Sequence, residues 1–341
     1  MKKYAVVASM TFAFSASALF AQGGGLQSSP CPQGTTNALG IPDQARAAQD
    51  ACTQAYDVYQ FLAPQLGLLL TGGNATLGQG GTLNGIGHFT VGLRGNVSSG
   101  LLPDIAAFSP SGTGAQRREL PTNSQVFAFP TADAAIGIFK GLPLAVTNVA
   151  GLDVLVSAAY VPSYDGDVTV TPSSHWQFGY GARLGLLQET LVVPGISATY
   201  LVRKLPETNI VGTSGADTLR VLNAKVNTTA WRVVASKSLI SFGIAAGIGQ
   251  DTYDQSADIQ GVVHTTVNGI PVSGSSTVPN TKQSLTRTNY FLDLSLNLPV
   301  FKLVGEVGQA TGGQVQTYNS FAGGAADRSQ VYGSVGVRLA W

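Results

Sequence analysis

Apolar side chains recur at every second position through much of the chain after Gly85. Successive side chains of a strand point to opposite sides. The closing run Val331–Trp341 therefore puts Val335, Val337, Leu339 and Trp341 on one face and Ser334, Gly336, Arg338 and Ala340 on the other. Residues 87–97 repeat the pattern, with Phe89, Val91, Leu93 and Val97 against His88, Thr90, Arg94 and Asn96. Residues 174–187 and 240–252 do so again, the first setting Trp176, Phe178, Tyr180 and Leu184 against Gln177, Gly179, Gly181 and Arg183. Further strands are predicted over 124–140, 150–162, 194–206, 217–237, 284–297, 300–313 and 329–341, for a total of about ten. The span 217–237 loses its parity near Thr228, so a bulge or further hairpin would make the number eight or twelve, within a range of 8–14.

An apolar face without a partner layer must meet lipid or another sheet. Connection lengths point to lipid, because outer-membrane barrels alternate short periplasmic turns with longer external loops. Short segments lie near 141–149, 188–193, 238–239 and 298–299. Long ones, near 98–123, 163–173, 207–216, 253–283 and 314–328, hold most of the Gly, Ser, Thr, Asn and Asp. The expected fold class is all-β, a transmembrane antiparallel β-barrel with a short amino-terminal helical segment.

That helical segment runs from Asp43 to about Leu70, where Ala45, Ala48, Cys52, Ala55, Tyr59, Leu62, Leu66 and Leu69 recur at three- and four-residue steps. Pro42 and Asp43 supply a start, and Pro64 is expected to kink or end the helix, which allows two shorter ones. Gly72-Gly73 and Gly78–Gly81 read as a flexible connection to the first strand. Two placements are open: the helix plugs or flanks the barrel from the periplasmic end, or it sits below the barrel and its stripe covers the opening or a partner. The resulting organisation is a signal segment 1–21, an amino-terminal periplasmic or plug segment 22–84, and a barrel 85–341.

Met1 to Ala21, with Lys2, Lys3, an apolar run and small residues, has the pattern of a secretory signal peptide, cleaved after Ala18 or Ala21. In an exported chain Cys31 and Cys52 are expected to form a disulfide. Charged residues make up 11% of the chain, against about a quarter in a typical soluble domain, and 42 of 341 residues are glycine. A soluble β-sandwich explains neither this nor the terminal aromatic. The net charge of +1 removes nucleic acid as a partner. Beyond the signal no apolar run reaches the roughly 18 residues a membrane helix needs. The expected location is the bacterial outer membrane, with its lipid as one partner and the barrel-assembly machinery as another, the latter through a carboxy-terminal strand ending in Trp341.

Projecting the pleat gives a lumen lined by Arg94, Arg183, Arg203, Arg232, Arg287, Lys302 and Arg338, with Asp133, Asp153, Asp251, Asp293 and Glu306. These charges are either a paired filling that holds a small barrel in register or a slightly cationic route for a small solute. Catalytic signals are thin. His88 and His175 are expected to project inward and His264 to lie in an external loop, with no serine or aspartate set beside them, so no catalytic residue is assigned. Asp165, Asp167, Asp251, Asp254 and Asp258 could collect calcium but read as loop-solubilising carboxylates; no metal and no cofactor are expected.

Tyr59-Gln-Phe-Leu-Ala-Pro-Gln-Leu66, Phe89-Thr-Val-Gly-Leu-Arg94, Tyr180-Gly-Ala-Arg-Leu-Gly185 and Thr229–Lys237 together resemble a family of bacterial outer-membrane barrel proteins. No catalytic residues come with that resemblance. More distantly the chain is similar to long-chain fatty-acid transporters, which also place an amino-terminal element inside a barrel, although it is shorter and lacks their asparagine-proline-alanine signature. The functional expectation is an integral barrel that admits or binds a small solute. The alternative is a non-conducting barrel acting through its external loops.

Overall fold

The computed structural model describes residues 29–36, 42–166, 168–267 and 270–340. The signal segment with both cleavage positions, Asp167 and Trp341 lie outside the described residues. The barrel strands are β1 (Phe89–Pro103), β2 (Thr122–Phe139), β3 (Gly151–Tyr160), β4 (Trp176–Leu187) and β5 (Gly195–Lys204). They continue with β6 (Asp217–Ser238), β7 (Phe242–Val267), β8 (Ile270–Asn297), β9 (Lys302–Thr311) and β10 (Gln330–Ala340). Each pairs antiparallel with the next, and β10 pairs back onto β1 from Tyr332–Ser98 to Ala340–Thr90, so the sheet closes. Closure removes every edge within the ring, which a spanning sheet needs because hydrocarbon offers backbone groups no partner.

The pleat sorts side chains as their sequence period requires. Along β4, Phe178 and Tyr180 are 65% and 60% exposed, whereas Gln177 and Arg183 on the opposite face are buried. Val335 and Val337 of β10, Leu292 and Leu294 of β8 and Val154 and Val156 of β3 are exposed likewise. A belt of exposed Val, Leu, Ile and aromatic side chains around a closed antiparallel ring is stable against acyl chains and not against water. The protein is thus an integral outer-membrane β-barrel. Turns 140–150, 188–194, 239–241 and 298–301 mark the periplasmic end, and the opposite end is external.

The expected loop 253–283 is not a loop. β7 and β8 pair through Val267–Ile270, so most of that segment is a hairpin standing above the membrane. Its outward face is polar, which makes its composition look like a loop. Inward it places Ile259, Val263 and Val272 in a buried core.

Against that face lies α1 (Pro42–Thr71), the one α-helix among the described residues, 30 residues and about 45 Å long at 1.5 Å per residue. It is one helix, not two. Pro64 removes one helical hydrogen bond, and the carbonyl of Gln60 that it strands accepts instead from Gln283 Nε2 at 3.2 Å. Gln255 Nε2 caps the neighbouring Ala63 carbonyl at 2.7 Å. The helix lies at the end of the ring opposite the short turns. α1 packs on β6, β7 and β8 in their external parts, where a β-carbon on Gly261 would collide with Ala51 and Cys52, and its descending end reaches Tyr253 at Gly67. Thr35–Thr36 pairs with Gly274–Ser275 near the hairpin's far end, and the Cys31–Cys52 disulfide ties this strand to the helix.

A core of Ala48, Ala51, Ala55, Val58, Phe61, Leu120, Leu219, Ile259 and Phe321 forms around α1 outside the membrane, with Phe61 and Phe321 stacked at 4.0 Å. Asp50 and Asp57, two turns apart on the helix, hold the loops over it. Asp50 accepts from the Ser111 N–H at 2.8 Å and pairs with Arg118 at 2.6 Å. Asp57 accepts from the N–H groups of Tyr318 and Asn319, both at 2.8 Å. Burial pushes the Asp57 carboxyl up to about 6, against the opposing pull of those donors and of Arg117.

Candidate functional site

Below α1 the chain descends through the ring. Residues 72–84 have no regular structure of their own, and buried backbone groups need partners. The wall supplies them. Glu306 accepts the Asn74 N–H at 2.9 Å, Asp293 the Gly78 N–H at 2.9 Å, Ser236 the Gly80 N–H at 2.7 Å and Asp153 the Leu83 N–H at 3.1 Å. Arginines take the carbonyls. Arg94 donates to Gly72 O at 2.5 Å, Arg232 to Gly73 O at 2.5 Å and Thr71 O at 2.6 Å, and Arg338 to Leu77 O at 2.7 Å. Gln188 donates to Thr82 O at 2.9 Å and accepts the Thr82 N–H at 3.0 Å. Gly73 has φ +78°, and a β-carbon there would collide with Arg94 and Ser334, so both the backbone and the space call for glycine.

All nine lumen candidates therefore sit inside the ring and are buried: Arg94, Asp153, Arg183, Arg203, Arg232, Asp251, Asp293, Glu306 and Arg338. Among the described residues six of them are in ion pairs, while Asp293, Glu306 and Arg338 bond to the descending backbone instead. Arg94 pairs with Asp133, Arg183 with Asp153 at 2.6 Å, Arg203 with Asp133 at 3.9 Å and Arg232 with Asp251 at 3.4 Å. The space left beside them is small, about 20 Å³ next to Arg94 and Asp133 and about 10 Å³ next to Arg203 and Arg232. Each holds roughly one water. The wall charges thus form a polar packing around the descending backbone.

The histidines stay apart. His88 and His175, expected to point inward, are exposed just before β1 and β4, and His175 Nδ1 lies 3.0 Å from Val161 O. His264 is on the outer hairpin against Ala216 O. Asp254 and Asp258 stand on β7, where Ser284 Oγ donates to the first at 2.7 Å and Asn223 Nδ2 to the second at 2.9 Å.

A different feature, invisible to the strand pattern, lies at the outer mouth. The ladder between β2 and β3 ends at Thr131–Ala159, next to Pro130, which has no N–H to extend it. Above that point β2 pairs only with β1 among the described strands, while Val168–Pro172 pairs with Thr208–Ser214 on the far side. Between them is a cavity of about 260 Å³. Its inner wall is the helix stripe Tyr59, Leu62, Ala63, Leu66, Leu69 and Leu70, at steps of three and four. Its outer wall is Phe127, Phe129, Val161, Val168, Val170, Leu205, Ile210, Ala224 and Val226. Of the three lining side chains that carry a polar group, Tyr59 keeps a buried hydroxyl without a partner and the other two are turned elsewhere. Gln65 is held by Leu101 O at 3.1 Å and the Leu101 N–H at 2.9 Å, and Thr208 Oγ1 donates to Pro206 O at 2.9 Å. The sequence did signal the stripe, but the cavity needs residues from six separated segments, Leu102 among them.

No family model matches the sequence, and no curated protein is significantly similar to it. Among solved structures, the transport unit of the autotransporter AIDA-I from Escherichia coli aligns over 85% of this chain and 98% of its own, at 10% identity and a TM-score of 0.34. Ail, the attachment invasion locus protein of Yersinia pestis, aligns over 74% and 99%, at 10% identity and a TM-score of 0.28. A Pseudomonas aeruginosa FadL homologue aligns over 80% and 97%, at 7% identity and a TM-score of 0.18.

Proposed function

We propose that this barrel binds a small apolar solute at its external mouth and does not conduct through its lumen. The observation that carries the reading is the cavity of about 260 Å³, open in space yet lined by aliphatic and aromatic carbon. A well-packed interior has few voids larger than a water, and a dry apolar cavity of roughly 150 Å³ already accommodates benzene. The larger volume here suits a substituted ring or a short hydrocarbon chain. The packed charges below argue against the cationic route, since a solute passing Arg94, Arg183, Arg203 and Arg338 would have to displace their present partners.

The test is equilibrium uptake of radiolabelled toluene by the purified chain in a detergent-free amphipathic polymer. Leu66→Trp fills the cavity from the helix side and abolishes uptake while heat-modifiable mobility, the mark of a folded barrel, is kept. Folded wild-type protein that takes up no toluene or other apolar probe overturns the reading.

A further inference from the structure

At the periplasmic mouth the emerging segment 78–84, the turn around Glu189 and the start of β9 enclose a second recess of about 560 Å³, polar where the outer cavity is apolar. Lys302 and Arg338 line it, and they are direct cross-strand partners in the β9–β10 register. Two cations side by side repel, and a native sheet tolerates that only where something offsets it. Neither touches a carboxylate within 4 Å among the described residues, in contrast to Arg94, Arg183, Arg203 and Arg232 higher in the lumen; Glu189 offsets both, and Asp293 offsets Arg338, only from a longer distance.

Arg338 is only 6% exposed, and although Nη1 donates to Leu77 O at 2.7 Å, its Nε has no partner. The one carboxylate in the lining, Glu189, has its oxygens engaged by the Ser238 N–H and the Ser236 hydroxyl. A buried guanidinium with one unpartnered N–H, beside an ammonium and lining an open recess, is the donor set that oxyanions take once the side chain turns that fork toward the recess.

We propose that this recess binds a phosphate-type oxyanion between Lys302 and Arg338. Its surroundings suit either a free phosphate or a lipid headgroup, because Leu191, Ile240 and Val300, exposed by 93%, 99% and 74%, surround the mouth where inner-leaflet acyl chains give way to headgroups.

Inorganic phosphate is titrated calorimetrically into the full-length protein in a phosphate-free amphipathic polymer, and phosphatidylglycerol retained from mixed vesicles is counted by native mass spectrometry. Lys302→Gln loses no intramolecular hydrogen bond and weakens binding on the order of tenfold, the effect of one charge-assisted contact. Arg338→Gln would also free the Leu77 carbonyl, so Arg338→Lys, which keeps the charge, serves as the second variant and loses the fork geometry alone. Phosphate binding that falls in Lys302→Gln identifies a free oxyanion; phosphate silence with phosphatidylglycerol retained by wild type and lost by Lys302→Gln identifies the headgroup. Wild-type protein that holds neither, or binding that both variants leave unchanged, overturns the proposal.

Discussion

Arg232 holds the point where the helix passes into the descending segment, and removing it tests the account of the lumen directly. Its guanidinium reaches Gly73 O at 2.5 Å, Thr71 O at 2.6 Å and Asp251 at 3.4 Å, and the side chain is 4% exposed. Arg232→Ala therefore strands a buried carboxylate, which costs about 3 to 5 kcal/mol. It also strands two carbonyls at roughly 1 kcal/mol each, of which water entering the vacated space recovers a part. The expected loss is about 5 kcal/mol, read from urea unfolding in phospholipid vesicles by tryptophan fluorescence. Conductance should appear in the same variant, because the segment is no longer held where it crosses the ring. Arg232→Met combined with Asp251→Leu removes the stranded charge and should restore more than half of the loss. A single variant within about 1 kcal/mol of wild type would refute the claim that charged side chains hold the backbone in place; a double variant as damaged as the single would show that the loss does not come from the unpaired carboxylate.

Val154→Arg and Leu292→Arg, on the lipid face, should each cost about 2 to 4 kcal/mol near the membrane midplane by the same unfolding assay, the outward parity being wrong if either is harmless. Cys52→Ala opens a loop with a sequence separation of 21 and should lower the stability of the external part by about 3 kcal/mol, seen as faster proteolysis within α1 on intact cells. Asp57 holds its proton up to about 6 in the folded protein and only to the ordinary carboxylate range when unfolded, so between about pH 4 and 6 the folded form binds the extra proton and stability falls as pH rises. The change is at most about 3 kcal/mol, and hydrogen exchange in residues 312–329 should show it in wild type and not in Asp57→Asn.

The strand parity was legible because a lipid-facing wall enforces it: a slip of one residue in β4 would turn Arg183 to the acyl chains and Phe178 to the lumen. For the same reason each lumen candidate could be placed inside before any partner was known. The position of α1 was not legible. An amphipathic stripe says which face is buried but not which end of the barrel buries it, and here the answer depends on Gly261 and Gly274 of the β7–β8 hairpin leaving room for the helix backbone. That hairpin was itself hidden, because strands above the membrane turn polar residues to water and lose the apolar alternation. Nor did residues 72–84 disclose their path, since nearly all the specificity lies in the wall side chains that meet their backbone.

The two halves of the interior follow from what fills each. Side chains alone close a ring of about eight strands, and the wider ring here has room for one more element. An extended backbone fits that width but presents N–H and C=O groups in turn, so its surroundings must both accept and donate. Arginine and carboxylate together do this, whereas an apolar lining would leave each group orphaned at about 1 to 3 kcal/mol. The mixed charges of the lumen match its occupant: Arg94, Arg232 and Arg338 donate to its carbonyls, and Glu306, Asp293 and Asp153 accept from its N–H groups. Where the occupant becomes helical at Thr71 its backbone satisfies itself, and the wall beside it is free to be apolar. The change from polar filling to hydrocarbon cavity therefore falls where the chain passes from extended to helix, which is why a cavity of carbon can sit directly above a lumen of ions.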